Sequence, residues 1–474
     1  MLFHSHEFLA LLGLTLVAFN LVPLPRRPAI LLVASLIFYG YAGLGMLALF
    51  LAVASLAYVC LRRIEGGDRK WLTIGVTLIL ANLLAFKYAA FLLDAAAASG
   101  LPVAPAQDWV TRHVILPVGI SFYSFQLIAV LIDAARGQQL GVRSFRELLL
   151  FIMFFGHLIA GPIMRGREFF PQLHVLPGPS VAQLRTGVLL LGIGLFKKVL
   201  VADELLSGRV DLLFDRGPAG LSVAAAWLAP LLFGFQIYFD FSGYVDMAIG
   251  MSRLFGLELK PNFSTPFISR TPSEFWSRWN ITLSRWFGDY VYIPLGGSRG
   301  PLWTTIRNVL VTMLLSGLWH GAGWTFLVWG AIHGSYLAAF HAVRHAAPRL
   351  AAAIATGGLQ WLGWAVTFLV TTVAWVYFRA PNVAAANLMI GKMVGIGAGP
   401  IAAPLSGYLL VPALLAMHWA EAWWIANLDR VADRLADRWM RLPGPVQALA
   451  AFPILFFVVA ITKVVRGAFI YFQF

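Results

Sequence analysis

The stretch PAILLVASLIFYGYAGLGMLALFLAVASLAYVCL, residues 28–61, contains no charged residue. About 20 apolar residues in a helix are enough to cross the hydrocarbon core of a bilayer, which is roughly 30 Å thick. This stretch is too long for one straight crossing, and the glycines Gly40, Gly43 and Gly45 near its middle predict a break into two helices. It therefore predicts an integral membrane protein.

The rest of the chain has the same character. Its 474 residues are 60% hydrophobic and 12% charged, with a mean hydropathy of +0.78, whereas soluble domains carry about 25% charged residues. Lipid leaves no water for backbone groups, and no alternation typical of barrel strands is visible. We predict an all-α, polytopic helical bundle of about 11 to 13 transmembrane helices, forming one domain over residues 1–474.

The net charge of +14 does not indicate a nucleic-acid partner. The basic residues collect in the connections between apolar runs, where cytoplasmic loops and anionic headgroups account for them. The first such connection contains Arg62, Arg63, Arg69 and Lys70. Membrane lipid is the expected partner of this charge.

Metal and thiol chemistry are not indicated. Cys60 is the only cysteine and lies in an apolar run, so it is expected to act as a small hydrophobe. His341 and His345 have the spacing of a zinc helix, but residue 342 is Ala where the HExxH motif has Glu. We predict no metal site.

Two segments are unlike simple spans. Residues 257–307 mix charged with aromatic residues, which predicts a helix that is capped by Thr271 or Ser273 and continues from Phe275 to Phe287. Such a helix is expected to lie in the membrane interface, or to enter the bilayer only where protein or water surrounds it. The segment FFGHLIAGPIMRG around His157 indicates either a re-entrant, broken helix or a simple kink. Interfacial and re-entrant helices are therefore part of the predicted fold.

Polar residues inside membrane segments are costly, so each is a functional candidate. His320 is the strongest, because it ends an apolar run among glycines and an imidazole can exchange a proton near neutral pH. Its alternative role is that of a hydrogen-bonded packing residue. Ser316, four residues earlier on the same helical face, could be a nucleophile or a packing residue. The other candidates are Asp240, Asp246, Asn280 and His333.

Several motifs occur in an order that resembles the membrane-bound O-acyltransferase family, in the branch with bacterial alginate O-acetyltransferases and the D-alanyl transfer protein of teichoic acids. They include YFDFSGYVDMAIG at 238–250, NFSTPFISRTPSEFWSRWNITLSRWFGDYVYIPLGG at 262–297, GLWHGAGWTFLVWGAIHG at 317–334 and FIYFQF at the C-terminus. The resemblance implies helices around a central tunnel, with the histidine of the WHG motif, His320, as the catalytic residue and Trp319 as a possible supporting residue.

One position departs from this branch, which usually has a second histidine where this chain has Asn280. Asparagine there resembles the Asn and His pair of the wider family. An amide can orient an imidazole or a substrate, but it cannot exchange protons at neutral pH. Asn280 is therefore expected to position a group or to stabilise an oxyanion.

The resemblance implies transfer of an acetyl or other short acyl group from cytoplasmic acetyl-CoA, a donor substrate rather than a bound cofactor. The acceptor would be the hydroxyls of an extracytoplasmic polysaccharide such as alginate, reached through a separate periplasmic SGNH-like transferase. The expected location is the bacterial inner membrane. His333, Asp240, Asp246, Ser316 and Trp319 are possible supporting residues. Basic residues could attract the phosphates of the donor or simply anchor the interface, namely Lys197, Lys198, Arg278 and Arg285.

Two alternatives stay open at the level of sequence. A non-enzymatic transporter or scaffold of a polysaccharide export system could use the intramembrane Asp and His residues for gating, although no inverted repeat is evident. A family acyltransferase that acts on a lipid or a protein would share the chemistry and differ in its acceptor.

Overall fold

A computed structural model describes residues 1, 3, 5–215, 220–447 and 449. These residues are mainly helical, and no β-strand is found among them; Leu221 and Ile401 form an isolated β-bridge. The predicted all-α fold is confirmed. The C-terminal motif FIYFQF lies outside the described residues.

The described residues up to Asp215 form eleven α-helices. They are α1 (His6–Leu21), α2 (Arg27–Gly40), α3 (Leu44–Glu65), α4 (Lys70–Leu83), α5 (Ala89–Ala98), α6 (Ala104–His113), α7 (Ile120–Ala135), α8 (Phe145–Met153), α9 (Gly166–His174), α10 (Val181–Leu195) and α11 (Gly208–Asp215). A 3-10 turn (Leu24–Arg26) and two π-helical segments (Leu84–Tyr88 and Phe196–Ser207) accompany them.

The described residues that follow form a second series of helices. They are α12 (Val223–Leu254), α13 (Pro272–Arg278), α14 (Ile281–Phe287), α15 (Leu302–His320), α16 (Trp324–Ala346), α17 (Pro348–Ala355), α18 (Gln360–Arg379), α19 (Val383–Met393), α20 (Leu405–Ala426) and α21 (Leu428–Met440). A 3-10 turn (Pro266–Ile268) and a π-helical segment (Gly288–Tyr292) accompany them.

Within the described residues, six helical stretches are long and apolar enough to cross a membrane. They are Leu44–Glu65, Lys70–Ala98, Val223–Leu254, Trp324–Ala346, Gln360–Arg379 and Leu405–Ala426. Shorter apolar helices, such as His6–Leu21 and Ile120–Ala135, accompany them. The chain therefore has the helices of a multi-pass membrane protein, while the total of about 11 to 13 crossings and the central tunnel stay predictions.

The two longest apolar runs, residues 28–61 and 221–250, differ in whether the helix breaks. The first breaks as predicted, because α2 ends at Gly40 and α3 begins at Leu44, with Gly43 at a φ of 137° that side chains disfavour. The second, at 221–250, forms the single helix α12 of 32 residues. Of the most apolar 18 residues of α12, 78% are buried by protein, whereas in the corresponding part of Lys70–Ala98 only 11% are buried. The length of α12 thus matches an interior helix.

The predicted interfacial helix is capped but broken. The Thr271 side chain accepts a hydrogen bond from the Glu274 N–H at 3.1 Å, which confirms Thr271 as the cap. The helix ends at Arg278, and α14 starts only at Ile281. The expectation of one continuous helix is therefore wrong, because Asn280 takes the left-handed conformation, with φ 41° and ψ 55°.

The helix around His157 is also broken. Helix α8 ends at Met153, and turns follow before α9 begins at Gly166. His157 is buried, its Nε2 lies 2.6 Å from the Phe151 carbonyl oxygen, and its ring packs against Phe154 and Phe169. These contacts favour packing at a break in the helix.

The chain divides into two compact units. Of the described residues, unit 1 takes those in Met1–Gly192, Tyr244–Lys260 and the chain from Ala436, and unit 2 takes those in Ile193–Gly243 and Pro261–Leu435. Both units are discontinuous in sequence, and the expectation of one domain over 1–474 stays a prediction. Asn280, His320 and His333 belong to unit 2.

Candidate active site

His320 is the last residue of α15, where close packing against α16 brings the two backbones together. A Cβ on Gly317 would lie 2.2 Å from the Phe326 carbonyl oxygen, and one on Gly330 would lie 2.5 Å from the Met313 carbonyl oxygen. Both positions therefore need glycine, as is common where membrane helices approach closely. Ser316 is buried on the same helix, four residues before His320.

Aromatic rings surround the His320 imidazole. Its ring centroid lies 5.0 Å from that of Trp319, 4.9 Å from that of Trp329 and 5.3 Å from that of Phe378, each in an edge-on arrangement. Only 3% of His320 is exposed. The imidazole is thus held inside unit 2, away from lipid.

His333 lies on α16, four residues after Trp329, and is buried. Its ring centroid lies 4.8 Å from Trp329 and 5.0 Å from Trp276, and it stacks on Phe275 at 5.9 Å. Its Nε2 has no hydrogen-bond partner among the described residues. Because Trp329 also contacts His320, one indole ring lies against both histidines.

Hydrogen bonds to Asn262 fix the two residues that follow Asn280, whose own backbone is left-handed. The Ile281 N–H donates to the Asn262 carbonyl oxygen at 2.9 Å. The Asn262 Oδ1 accepts from the Thr282 hydroxyl at 2.5 Å and from the Thr282 N–H at 3.3 Å. Asparagine tolerates this backbone region better than most residues, so local structure alone gives one reason for Asn280.

The break at Asn280 directly follows Trp279, whose ring belongs to the aromatic cluster. Asn280 is 1% exposed, and its Nδ2 donor has no hydrogen-bond partner among the described residues. The neighbouring Trp279 ring lies 5.0 Å from Trp375, which lies 6.4 Å from Trp329. Trp329 in turn contacts His320, so a chain of ring contacts runs from Trp279, the residue before Asn280, to the imidazole.

Lys198 is buried in an ion-pair network. It lies on the π-helical segment Phe196–Ser207, and its Nζ is 2.8 Å from Asp203 Oδ1. It also pairs with Asp240 of α12. Carboxylates therefore balance the Lys198 charge inside the protein, as a buried cation requires.

Lys197 belongs to an adjoining network. It pairs with Glu421 of α20, and the Tyr238 hydroxyl donates to Glu421 Oε2 at 2.6 Å. His418 Nδ1 lies 3.4 Å from the same oxygen, while its Nε2 accepts from the Phe267 N–H at 3.2 Å. A donor-binding role for either lysine stays a prediction, and in this structure carboxylates already offset both charges.

The other candidates lie in different surroundings. Arg278 pairs with Glu274 at 2.9 Å and donates to the Ser264 carbonyl oxygen at 3.1 Å. Arg285 is exposed on α14, so its guanidinium is more accessible than the buried lysines. Asp246 is partly buried in the α12 residues that belong to unit 1.

Sequence reasoning did not single out three residues of this region. Trp329 could have been found from its spacing of four residues before His333, which puts both on one helical face. Glu421 and His418 share a face of α20 in the same way. As an acidic residue in an apolar run, Glu421 was a candidate by the rule applied to Asp240.

Comparison with known proteins agrees with these features. Residues 135–384 match the model of the membrane-bound O-acyltransferase family. The chain is 40% identical over 407 residues to the probable alginate O-acetylase AlgI of Azotobacter vinelandii, covering 84% of this chain and 79% of that protein. It is 34% identical over 397 residues to the peptidoglycan O-acetyltransferase of Helicobacter pylori, covering 77% and 73%. It is 31% identical over 238 residues to the teichoic acid D-alanyltransferase of Streptococcus thermophilus, covering 47% and 56%.

Proposed function

The chain belongs to the membrane-bound O-acyltransferase family and is an O-acyltransferase, and from this premise we propose that it moves an acetyl group from cytoplasmic acetyl-CoA towards hydroxyls of an extracytoplasmic polysaccharide. Membership in an enzyme family sets aside the alternative of a transporter or scaffold. The proposed location is the bacterial inner membrane, where a multi-pass protein can meet a cytoplasmic donor and an external acceptor.

The proposed reaction uses His320 as the general base. The imidazole takes the proton of the acceptor hydroxyl as its oxygen attacks the thioester carbonyl carbon. The new C–O bond forms while the carbonyl π electrons move onto the carbonyl oxygen. When the intermediate collapses, the C–S bond breaks and the CoA thiolate receives the proton from His320. The products are the ester and free CoA.

The surroundings of His320 are the observation that supports this role. Its ring is 3% exposed and lies among Trp319, Trp329 and Phe378, where water is excluded and electrostatic interactions are strong. We propose that Asn280 orients the imidazole or the acceptor. His333, Asp240, Asp246, Ser316 and Trp319 are proposed as supporting groups, with Arg285 as the accessible cation for the donor phosphates.

The acceptor is proposed from the relatives. Alginate O-acetylase and peptidoglycan O-acetyltransferase name cell-surface glycans, and sugar hydroxyls are the nucleophiles that an imidazole base can activate. A periplasmic SGNH-like transferase is proposed as the partner that receives the acyl group and delivers it to the polymer. A lipid or protein acceptor is the rival outcome.

The test is the variant His320→Ala, assayed in membranes with radiolabelled acetyl-CoA. Without the base, we expect acyl transfer to fall by about 10²- to 10⁴-fold, the usual contribution of general-base catalysis. The assay measures the release of free CoA and, in the same samples, the radiolabel found in extracted polymer, lipid and protein. The fraction that carries the label identifies the class of acceptor.

The matched control is His345→Ala, which removes an exposed histidine near the end of α16. We expect it to keep the wild-type rate. Full activity in folded, membrane-inserted His320→Ala protein would contradict the mechanism. Label in lipid alone would contradict the polysaccharide acceptor while leaving the mechanism intact.

A further inference from the structure

The indole N–H groups near the two histidines differ from those of two other tryptophans in unit 2. Trp227 donates to the Met393 carbonyl oxygen and Trp364 to the Phe267 carbonyl oxygen, both at 2.9 Å. Four others have an Nε1 that is buried without a hydrogen-bond partner among the described residues, namely Trp276, Trp279, Trp329 and Trp375. Buried tryptophan N–H groups usually find a partner, so this concentration indicates a place where a ligand supplies the acceptor.

Trp329 is the member of this group that lies closest to the proposed chemistry. It is 0% exposed, and its ring centroid is 4.9 Å from His320 and 4.8 Å from His333. The ring also contacts Phe378 at 5.5 Å. These contacts on several sides fix the indole, so the direction of its N–H is set before any substrate arrives.

The chemistry of the group restricts what it can bind. An indole N–H is a donor only, and an amide nitrogen such as Asn280 Nδ2 also donates. A cluster of donors suits an oxygen that only accepts, such as the carbonyl of an acyl group, better than a hydroxyl, which must also place its own proton. In acyl transfer that carbonyl oxygen becomes negatively charged.

We propose that the Trp329 indole N–H donates to the thioester carbonyl oxygen and stabilises the oxyanion that develops on it. This inference rests on the proposed function and adds a catalytic residue to it. As the acceptor oxygen attacks and His320 takes its proton, the carbonyl π electrons move onto the oxygen held by Trp329. The hydrogen bond strengthens with that charge and weakens again when CoA leaves, so it lowers the barrier more than it tightens donor binding.

The kinetic test is Trp329→Phe in the full-length protein, which keeps an aromatic ring and removes the N–H. Loss of one oxyanion donor typically lowers kcat by about 10²- to 10³-fold. We expect that loss with a KM for acetyl-CoA close to the wild-type value, because the interaction is made mainly in the transition state. A variant with wild-type kcat, or with only a raised KM, would overturn the proposal.

Trp227→Phe is the control, since its N–H already has a protein acceptor. It is expected to lower the thermal midpoint, because the Met393 carbonyl oxygen loses its donor, and to leave kcat unchanged. An equal fall of kcat in both variants would assign the Trp329→Phe loss to packing and overturn the proposal.

A spectroscopic readout keeps the role testable without turnover. [1-¹³C]Acetyl-CoA is bound to His320→Ala and to the double variant His320→Ala/Trp329→Phe, and the carbonyl stretch is measured by infrared difference spectroscopy. A hydrogen bond weakens the C=O bond, so the frequency should be lower when Trp329 is present. Identical frequencies would overturn the role of Trp329, whereas unchanged turnover in His320→Ala would overturn the proposed function instead.

Discussion

Asn280 combines a backbone role with a side-chain role at one residue. Its φ of 41° and ψ of 55° place it in the left-handed region, and it is buried directly after Trp279, whose ring packs on Trp375. The first property explains why a helix breaks there, and the second is the one that the proposed catalytic role of Asn280 would use. The two roles can be separated because glycine meets the backbone requirement without supplying an amide.

We predict that Asn280→Gly folds with near wild-type stability but loses most acyltransferase activity. Asn280→Ala should lose activity as well and should be less stable than the glycine variant by about 1 kcal/mol, the cost of a Cβ in this conformation. Thermal unfolding in detergent and CoA release measure the two effects. Activity retained in Asn280→Gly would contradict the side-chain role and leave Asn280 only its backbone role.

At the scale of the element, the junction of α15 and α16 sets the position of His320. The closest approach is at Gly317, where a Cβ would meet the backbone of α16 at 2.2 Å. A backbone atom cannot rotate aside as a flexible side chain can, so the helices must separate if a methyl group is added. Separation would also move His320 away from Trp329, which α16 carries.

We therefore predict that Gly317→Ala destabilises the protein by about 1 to 3 kcal/mol, as overpacking typically does, and lowers kcat. The measurement is the thermal midpoint together with CoA release. Gly192→Ala is the matched control, because this glycine of α10 has no atom within 4 Å of an added Cβ. It should be neutral or slightly stabilising. Equal thermal midpoints for Gly317→Ala and Gly192→Ala would contradict this prediction, because they would show that α15 and α16 can separate without loss of stability.

At the scale of the whole molecule, the basic connection before α4 predicts the orientation of the chain. Arg62, Arg63, Arg69 and Lys70 lie at one end of the span Lys70–Ala98, and Ser99 follows at the other end. A helix of 29 residues extends over about 43 Å, enough to cross a bilayer. The positive-inside rule places the arginine-rich end in the cytoplasm.

In a Cys60→Ala background we expect Ser99→Cys to react with a membrane-impermeant maleimide in intact spheroplasts. Asp68→Cys should react only after lysis. Both positions are exposed, and Cys60 is the only cysteine of the sequence, so the Cys60→Ala background leaves no other thiol of this protein to react. Labelling of Asp68→Cys without lysis would contradict this orientation, because the arginine-rich end of the span would then face the outside of the cell.

Features that depend on local residue type could be predicted from the amino-acid sequence. Uncharged runs predicted the membrane helices, and three glycines between 40 and 45 predicted the break between α2 and α3. The two candidate caps, Thr271 and Ser273, predicted the start of α13, and the structure selects Thr271. His320 was singled out because an ionisable group in an apolar segment is costly wherever the chain folds. Each of these inferences needs only the properties of neighbouring residues.

Contacts between side chains that are distant in sequence could not be predicted in this way and are known from the folded structure. It placed Trp329 against His320 and His333, and paired Lys197 with Glu421 from α20. It also broke the predicted interfacial helix at Asn280 through hydrogen bonds to Asn262. Periodicity shows which face of a helix is apolar or polar, but it does not show which other helix packs against that face. The partner is set by packing between helices that are far apart in the chain.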